Sequence, residues 1–137
     1  MDLFLTTGLV GRLAWLVGNG VEAHRRTIER WAANPPTSVF EPGWPPFFYA
    51  LVAPPTVAAS VGTCVRHRGD PVVGTSALAT ALAVAISAVL VRTVVLPLRG
   101  AAPEGDRLVA RWFVLNRARM AAVGVAVVAD LCVLARR

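Results

Sequence analysis

An acid, an imidazole, a phenol, two amides and two guanidiniums fall near one depth of this chain's apolar runs. Asn19, Glu22 and His24 close the first run and Tyr49 lies near the start of the second. Arg92 lies near the end of the third, and Trp112, Asn116 and Arg119 open the fourth. An ionisable side chain inside a membrane costs roughly 2.5–3.5 kcal/mol on insertion scales, so such residues mark a site or a buried pair. Glu22, His24, Arg92, Asn116 and Arg119 are the candidate reactive groups of a ligand site, with Asn19, Tyr49 and Trp112 as candidate binding groups. Arg12 and Asp130 lie toward the opposite end of their runs and read as a structural ion pair.

Helical spacing sets where these residues point. At about 100° per residue, Trp112, Asn116, Arg119, Val123, Ala126 and Asp130 share one face of the fourth run. Arg117 falls on the other face, where it can snorkel to headgroups. Arg12, Trp15, Asn19 and Glu22 share a stripe in the first run, and Tyr49, Thr56, Ser60 and Thr63 share one in the second. In the third, Arg92 shares a face with Leu78, Ala81, Ala85 and Ala88. A bundle interior is the place to hide four such faces. Small and hydroxyl residues on them also serve as packing glue.

The runs themselves are long. They cover about 3–21, 47–65, 72–98 and 112–135, close to the roughly 20 apolar residues a spanning helix needs. Backbone in lipid must satisfy its own hydrogen bonds, so each is expected to be helical. The 137 residues are 55% apolar and only 16% charged, with a mean hydropathy of +0.58. The expected fold is all-α: one domain over residues 1–137, an integral membrane four-helix bundle with a Pro-rich loop between the first and second helices. The expected location is the cell membrane, multi-pass.

The net charge is +6 and every basic residue is Arg. These Arg residues sit at the ends of apolar runs or inside them, which reads as membrane-flanking charge and not as a nucleic-acid surface. Cys64 and Cys132 are too few for a zinc site or a disulfide framework. No metal site and no cofactor is expected.

Four spans put both termini on one side, here side A, with the tight turn Arg66–Pro71. Side B then carries the two longer connections. The stretch Glu22–Trp31 reads as an extension of the first helix into water, and Trp31 and Trp44 suit a membrane boundary. The proline pairs Pro35–Pro36 and Pro45–Pro46 stiffen the segment Asn34–Pro46, which is expected to lie over a pocket opening toward side B. Pro54–Pro55 is expected to kink the second span.

The pattern Trp-x-x-x-Asn-x-x-Arg at Trp112, Asn116 and Arg119 resembles one near the last helix of the anthrone-oxygenase-like family of small four-helix membrane proteins. Val95-Leu96-Pro97-Leu98 is similar to that family's Pro-containing exit from the third helix, and Gly8-Leu9-Val10-Gly11 is similar to its early glycines. Leu98 and Arg99 stand where the family often carries Asn after the Pro. The resemblance in layout covers nearly the whole chain.

It implies a membrane enzyme of secondary metabolism that oxygenates an electron-rich polycyclic phenol without an obvious protein-bound metal. On that reading Glu22 or His24 is the base. Arg92 and Arg119 hold the phenolate, Asn116 orients it, and Trp112 and Tyr49 stack on the flat ring. The same pocket suits a cyclase or isomerase of a polyketide or terpenoid. A non-catalytic hydrophobe-binding module or transporter subunit is the other class. Small multidrug transporters usually carry an acid in the middle of the first helix, where Arg12 stands here. The expected partners are a hydrophobic small molecule and membrane lipid.

Overall fold

A computed structural model of the chain describes residues 2–34, 45–99 and 105–137. Among these the elements are all helical: α1 (Leu3–His24), α2 (Thr27–Ala33), α3 (Pro45–Arg66), α4 (Pro71–Leu90), a π-helical turn (Val91–Val95), α5 (Leu96–Arg99) and α6 (Gly105–Ala135). Three helices are long and apolar enough to cross a membrane: Phe48–Arg66, Pro71–Leu98 and Gly105–Ala135. The apolar content of α1 is diluted by Arg12 and Asn19. Most of the Pro-rich segment, with Trp44, lies outside the described residues.

The helix ends follow from local chemistry. Asp2 caps α1, its carboxylate accepting from the backbone N–H groups of Phe4 at 3.1 Å and Leu5 at 3.3 Å. Asp70 caps α4 by accepting from Val72 N–H at 2.9 Å, and Pro71 takes the first helical position, where its missing N–H is harmless. Gly69, at φ +88°, makes the turn that joins α3 to α4. Pro97 removes the N–H that Thr93 C=O would receive in an α-helix. The chain responds by widening a turn, so that Leu96 N–H reaches back five residues to Val91 C=O.

The long helices bury polar side chains and expose apolar ones. Arg12, Asn19, Thr56, Ser60, Ser76, Thr80, Asn116, Arg119 and Asp130 are buried. Leu3, Val10, Val17, Leu51, Val61, Leu78, Val114 and Val128 are exposed. A water-soluble protein rarely shows so extensive an apolar surface, whereas lipid favours it. α3 packs on α1 where α1 lacks side chains. A Cβ on Gly11 would overlap the Thr56 hydroxyl, and one on Gly18 would come within 2.5 Å of the Phe48 ring.

The interior is layered from side A to side B. Leu5, Val73 and Val133 form an apolar floor. Above it lies a polar layer around Arg12 and Asp130, and then an apolar layer of Trp15, Ala83, Ala122, Val123 and Val127. A second polar layer follows with Asn19, Tyr49, Ser87, Asn116 and Arg119. The last layer packs Ile28 and Trp31 of α2 against Leu90, Val94, Val95, Leu98, Leu108 and Trp112.

Two expectations are corrected here. The stretch after Glu22 does not extend α1 into water. The chain turns at Arg26, a left-handed residue at φ 52°, and α2 folds back so that Ile28 and Trp31 enter the core. Trp31 is therefore a core residue and not a boundary anchor. The inward face of α4 is also different. Leu78, Ala81, Ala85, Ala88 and Arg92 are exposed, whereas Val73, Ser76, Thr80, Ala83 and Leu90 are buried. Small residues are as comfortable against lipid as against protein, so the alanines did not mark the interior.

Candidate functional site

The two polar layers differ in how completely their groups are paired. In the first, Arg12 Nη1 donates to Asp130 Oδ2 at 2.5 Å, Nε donates to Thr80 Oγ1 at 2.9 Å, and Nη2 donates to Ser60 Oγ. Ser76 Oγ donates to the other Asp130 oxygen at 2.6 Å. Ser60 and Thr80 hydroxyls in turn donate to the carbonyls of Thr56 and Ser76. α1, α3, α4 and α6 each contribute, and no side-chain polar atom of the pair is left over. The expected ion pair is present, with both side chains 3% exposed. A layer this complete has no place for a ligand.

The second polar layer is incomplete. Arg119 is held on three sides: Nη2 donates to Asn116 Oδ1 at 2.7 Å, Nη1 donates to Ser87 Oγ at 3.3 Å, and the guanidinium stacks on Tyr49. Its Nε has no partner. Neither do the Tyr49 hydroxyl, Glu22 Oε2 and both side-chain atoms of Asn19. Buried polar groups in proteins are nearly always hydrogen-bonded to protein or water. Here a donor edge, a phenol, a carboxylate oxygen and an amide gather unpaired at one depth.

Beside them lies a cavity of about 730 Å³, within the roughly 300–1,000 Å³ typical of small-molecule sites. Glu22, Tyr49, Ser87, Arg92 and Arg119 supply its polar groups, and Trp31 and Trp112 supply aromatic walls. Apolar residues of α3, of α4 and of its π-helical continuation make up much of the rest. One end therefore pins a polar head and the remainder accepts a hydrophobic body.

Of the expected site residues, Glu22, Tyr49, Arg92, Trp112 and Arg119 line this cavity. Asn116 is buried behind Arg119 and orients it, and its amide nitrogen lies 3.6 Å from Met120 Sδ. Asn19 is fully buried and does not line the cavity. His24, the last residue of α1, is exposed and is not part of the lining. Arg92 reaches the cavity from its exposed rim, and not from an inward face of α4. Toward side B, Ile28 and Trp31 of α2 line the cavity and pack against the buried cluster that includes Leu90, Val94, Leu108 and Trp112.

Ser87 was missed. With Ser76, Thr80, Ala83 and Leu90 it forms the true inward stripe of α4, at intervals of three and four residues. The hydroxyls at Ser76, Thr80 and Ser87 were the available signal. Among the described residues no three His, Cys, Asp or Glu side chains come together as a metal site. The chain matches no known protein family, no curated protein and no solved structure.

Proposed function

We propose that the chain is a multi-pass four-helix bundle of the cell membrane, with α1 as the fourth span, and that it is an enzyme acting on a hydrophobic polycyclic or polyketide-like phenol. The 22 residues of α1 rise about 33 Å at 1.5 Å each, enough to cross a hydrocarbon core of about 30 Å. Leu3, Phe4, Val10, Leu13, Val17 and Val21 face outward, and the charge in its middle, Arg12, is paired inside.

The observation that carries the catalytic reading is the unpaired polar layer against an apolar cavity. Glu22 is the base that takes a proton from the phenol or from the acidic carbon of its keto form. Arg119 holds the resulting oxyanion with its free Nε edge. Asn116, Ser87 and Tyr49 fix the guanidinium beforehand, so little reorganisation is needed when charge develops. Trp112 stacks on the ring.

Oxygenation would use dioxygen as the oxidant. The deprotonated carbon bonds to one oxygen atom, and the hydroperoxide loses water to leave a carbonyl. A cyclase or isomerase would begin with the same proton removal and need no oxidant. It is the second reading, favoured by an acid–base pocket whose polar groups are all hydrogen-bonding ones. A reconstituted bundle given an anthrone should consume dioxygen and release quinone faster than empty lipid discs. Rearranged product without oxygen uptake would select the second reading, and binding without turnover would leave a hydrophobe carrier.

A further inference from the structure

The cavity has a side opening. Its lining includes Ala50 of α3 and Val84, Ala88, Val91 and Arg92 of α4 and the π turn, all of them exposed residues. They border the gap between two helices that are both long and apolar enough to lie in lipid. α3 is drawn against α1 through Gly11 and Gly18, and it meets α4 through the short turn at side A. Away from that turn the cavity lies between them, with Ala50 and Ala53 on one side and Val84 and Ala88 on the other.

Both helices depart from regular α-helical hydrogen bonding beside the gap. Pro54 and Pro55 lie inside α3 and deprive the carbonyls of Ala50 and Leu51 of their usual donors. Across the gap, the π turn carries Val91, Arg92 and Val95 into the cavity wall. Single π turns of this kind recur at functional sites because they re-aim side chains. Arg92 is exposed at this rim and makes no ion pair or hydrogen bond among the described residues. One cation thus stands unpaired at the opening, and a second, Arg119, stands inside with one free edge.

We infer that the ligand arrives sideways from the bilayer, between α3 and α4, and that it is a lipid-dissolved weak acid: a hydrophobic body with one ionisable oxygen, met by Arg92 at the rim and seated against Arg119 within. This rests on the ligand-binding part of the proposed function, and it adds the route and the charge of the ligand. The packing of Ile28 and Trp31 toward side B and the apolar walls favour this route over one from water. Two guanidiniums spaced along it favour an anionic oxygen over a neutral or cationic head.

The test uses bromonaphthol dissolved in phosphatidylcholine vesicles that contain the full-length chain. Trp31 and Trp112 line the cavity, so bound bromonaphthol quenches them. The variant with Ala50→Phe and Ala88→Phe should associate about tenfold more slowly than wild type, because blocking the route acts on the association rate. Ala85→Phe, on exposed α4 surface outside the lining, should associate at the wild-type rate. Arg92→Ala removes a side chain without partners and should fold normally. It should weaken binding of bromonaphthol and leave unchanged the weaker binding of its methyl ether. Saturable quenching with equal rates in the double Phe variant and Ala85→Phe would overturn the side route. If the double variant does not fold, Arg92→Ala decides: equal loss for phenol and ether would overturn the proposal. No saturable quenching in wild type would instead overturn the binding reading beneath it.

Discussion

The guanidinium carbon of Arg119 lies 4.6 Å from the centre of the Tyr49 ring. α6 thereby places its deepest side-B cation on the aromatic face of a residue from α3. The contact is electrostatic, between a cation and the negative face of a π system, and it gains strength away from water. With Asn116 and Ser87 it fixes the guanidinium before any ligand arrives, and Nε remains available.

Arg119→Ala should therefore act on turnover. Loss of a preorganised oxyanion donor typically costs about 10²–10³ in rate. Arg117→Ala, two residues away on the exposed side of α6, should stay within about 0.5 kcal/mol of wild type in stability and keep its activity. Product formation and thermal unfolding in lipid discs, measured for both, check this. Full activity in Arg119→Ala would remove the site from this face.

Arg12 and Asp130 should behave as one unit. Arg12→Met leaves a buried carboxylate without its cation and should destabilise by about 3–5 kcal/mol. Adding Asp130→Leu removes the stranded charge and should restore most of that loss. Reversible unfolding in mixed micelles separates the two variants. A double variant as weak as the single one would show that the pair itself, and not the stranded charge, holds the layer together.

Gly11→Ala should cost about 1–3 kcal/mol, because the added methyl meets Thr56 and forces α1 away from α3. Combining it with Thr56→Ala reopens the space and should recover much of the loss. Gly124→Ala in α6 meets nothing within 4 Å and should leave the unfolding midpoint where it is or raise it. The same micelle assay reads all three.

Asp2 gives a pH dependence outside the membrane-spanning segments. Its carboxylate lies 2.5 Å from His67 Nε2 and 3.3 Å from Arg137 Nη2, with Arg66 Nε at 3.9 Å. The bond to His67, then the Leu5 N–H, Arg137 and Arg66, hold its pKa down to about 2 from an ordinary 3.8, against the opposing effect of burial. A carboxylate with a depressed folded pKa stabilises the fold above its unfolded pKa. That contribution is whole above about pH 4 and fades as the pH falls toward 2. Asp2→Asn should flatten the unfolding temperature across that window and lower it at neutral pH. Parallel curves for the two proteins would assign the acid sensitivity elsewhere.

Residues that must hide were legible in the sequence, and residues indifferent to their surroundings were not. Arg12, Asn19, Asn116, Arg119 and Asp130 cannot face lipid cheaply, so a helical wheel placed the inner faces of α1 and α6 correctly. α4 has no such residue in its middle. Arg92 was taken as its marker, yet a long side chain near a helix end can reach headgroups from an outward position. The hydroxyls of Ser76, Thr80 and Ser87 carried the true phase more faintly. The fold-back at Arg26 had no warning, because a left-handed Arg breaks no compositional rule. Glu22, Tyr49 and Arg119 could be grouped by depth, but the cavity beside them depends on how α3 and α4 are placed, which no spacing encodes.

The paired layer around Arg12 has a consequence for how the chain is made. Its four contributions come from α1, α3, α4 and α6, so they are completed in the order of synthesis, and the carboxylate comes last. Until α6 leaves the ribosome, Arg12 has hydroxyls within reach and no counter-charge. α1 is also the long helix with the weakest apolar case for insertion. On the proposed topology it should stay loosely inserted until Asp130 arrives, and a chain truncated before α6 should leave α1 outside the bilayer. Glycosylation acceptors engineered at the ends of α1, scored during cell-free translation into microsomes, would report the moment at which the helix commits.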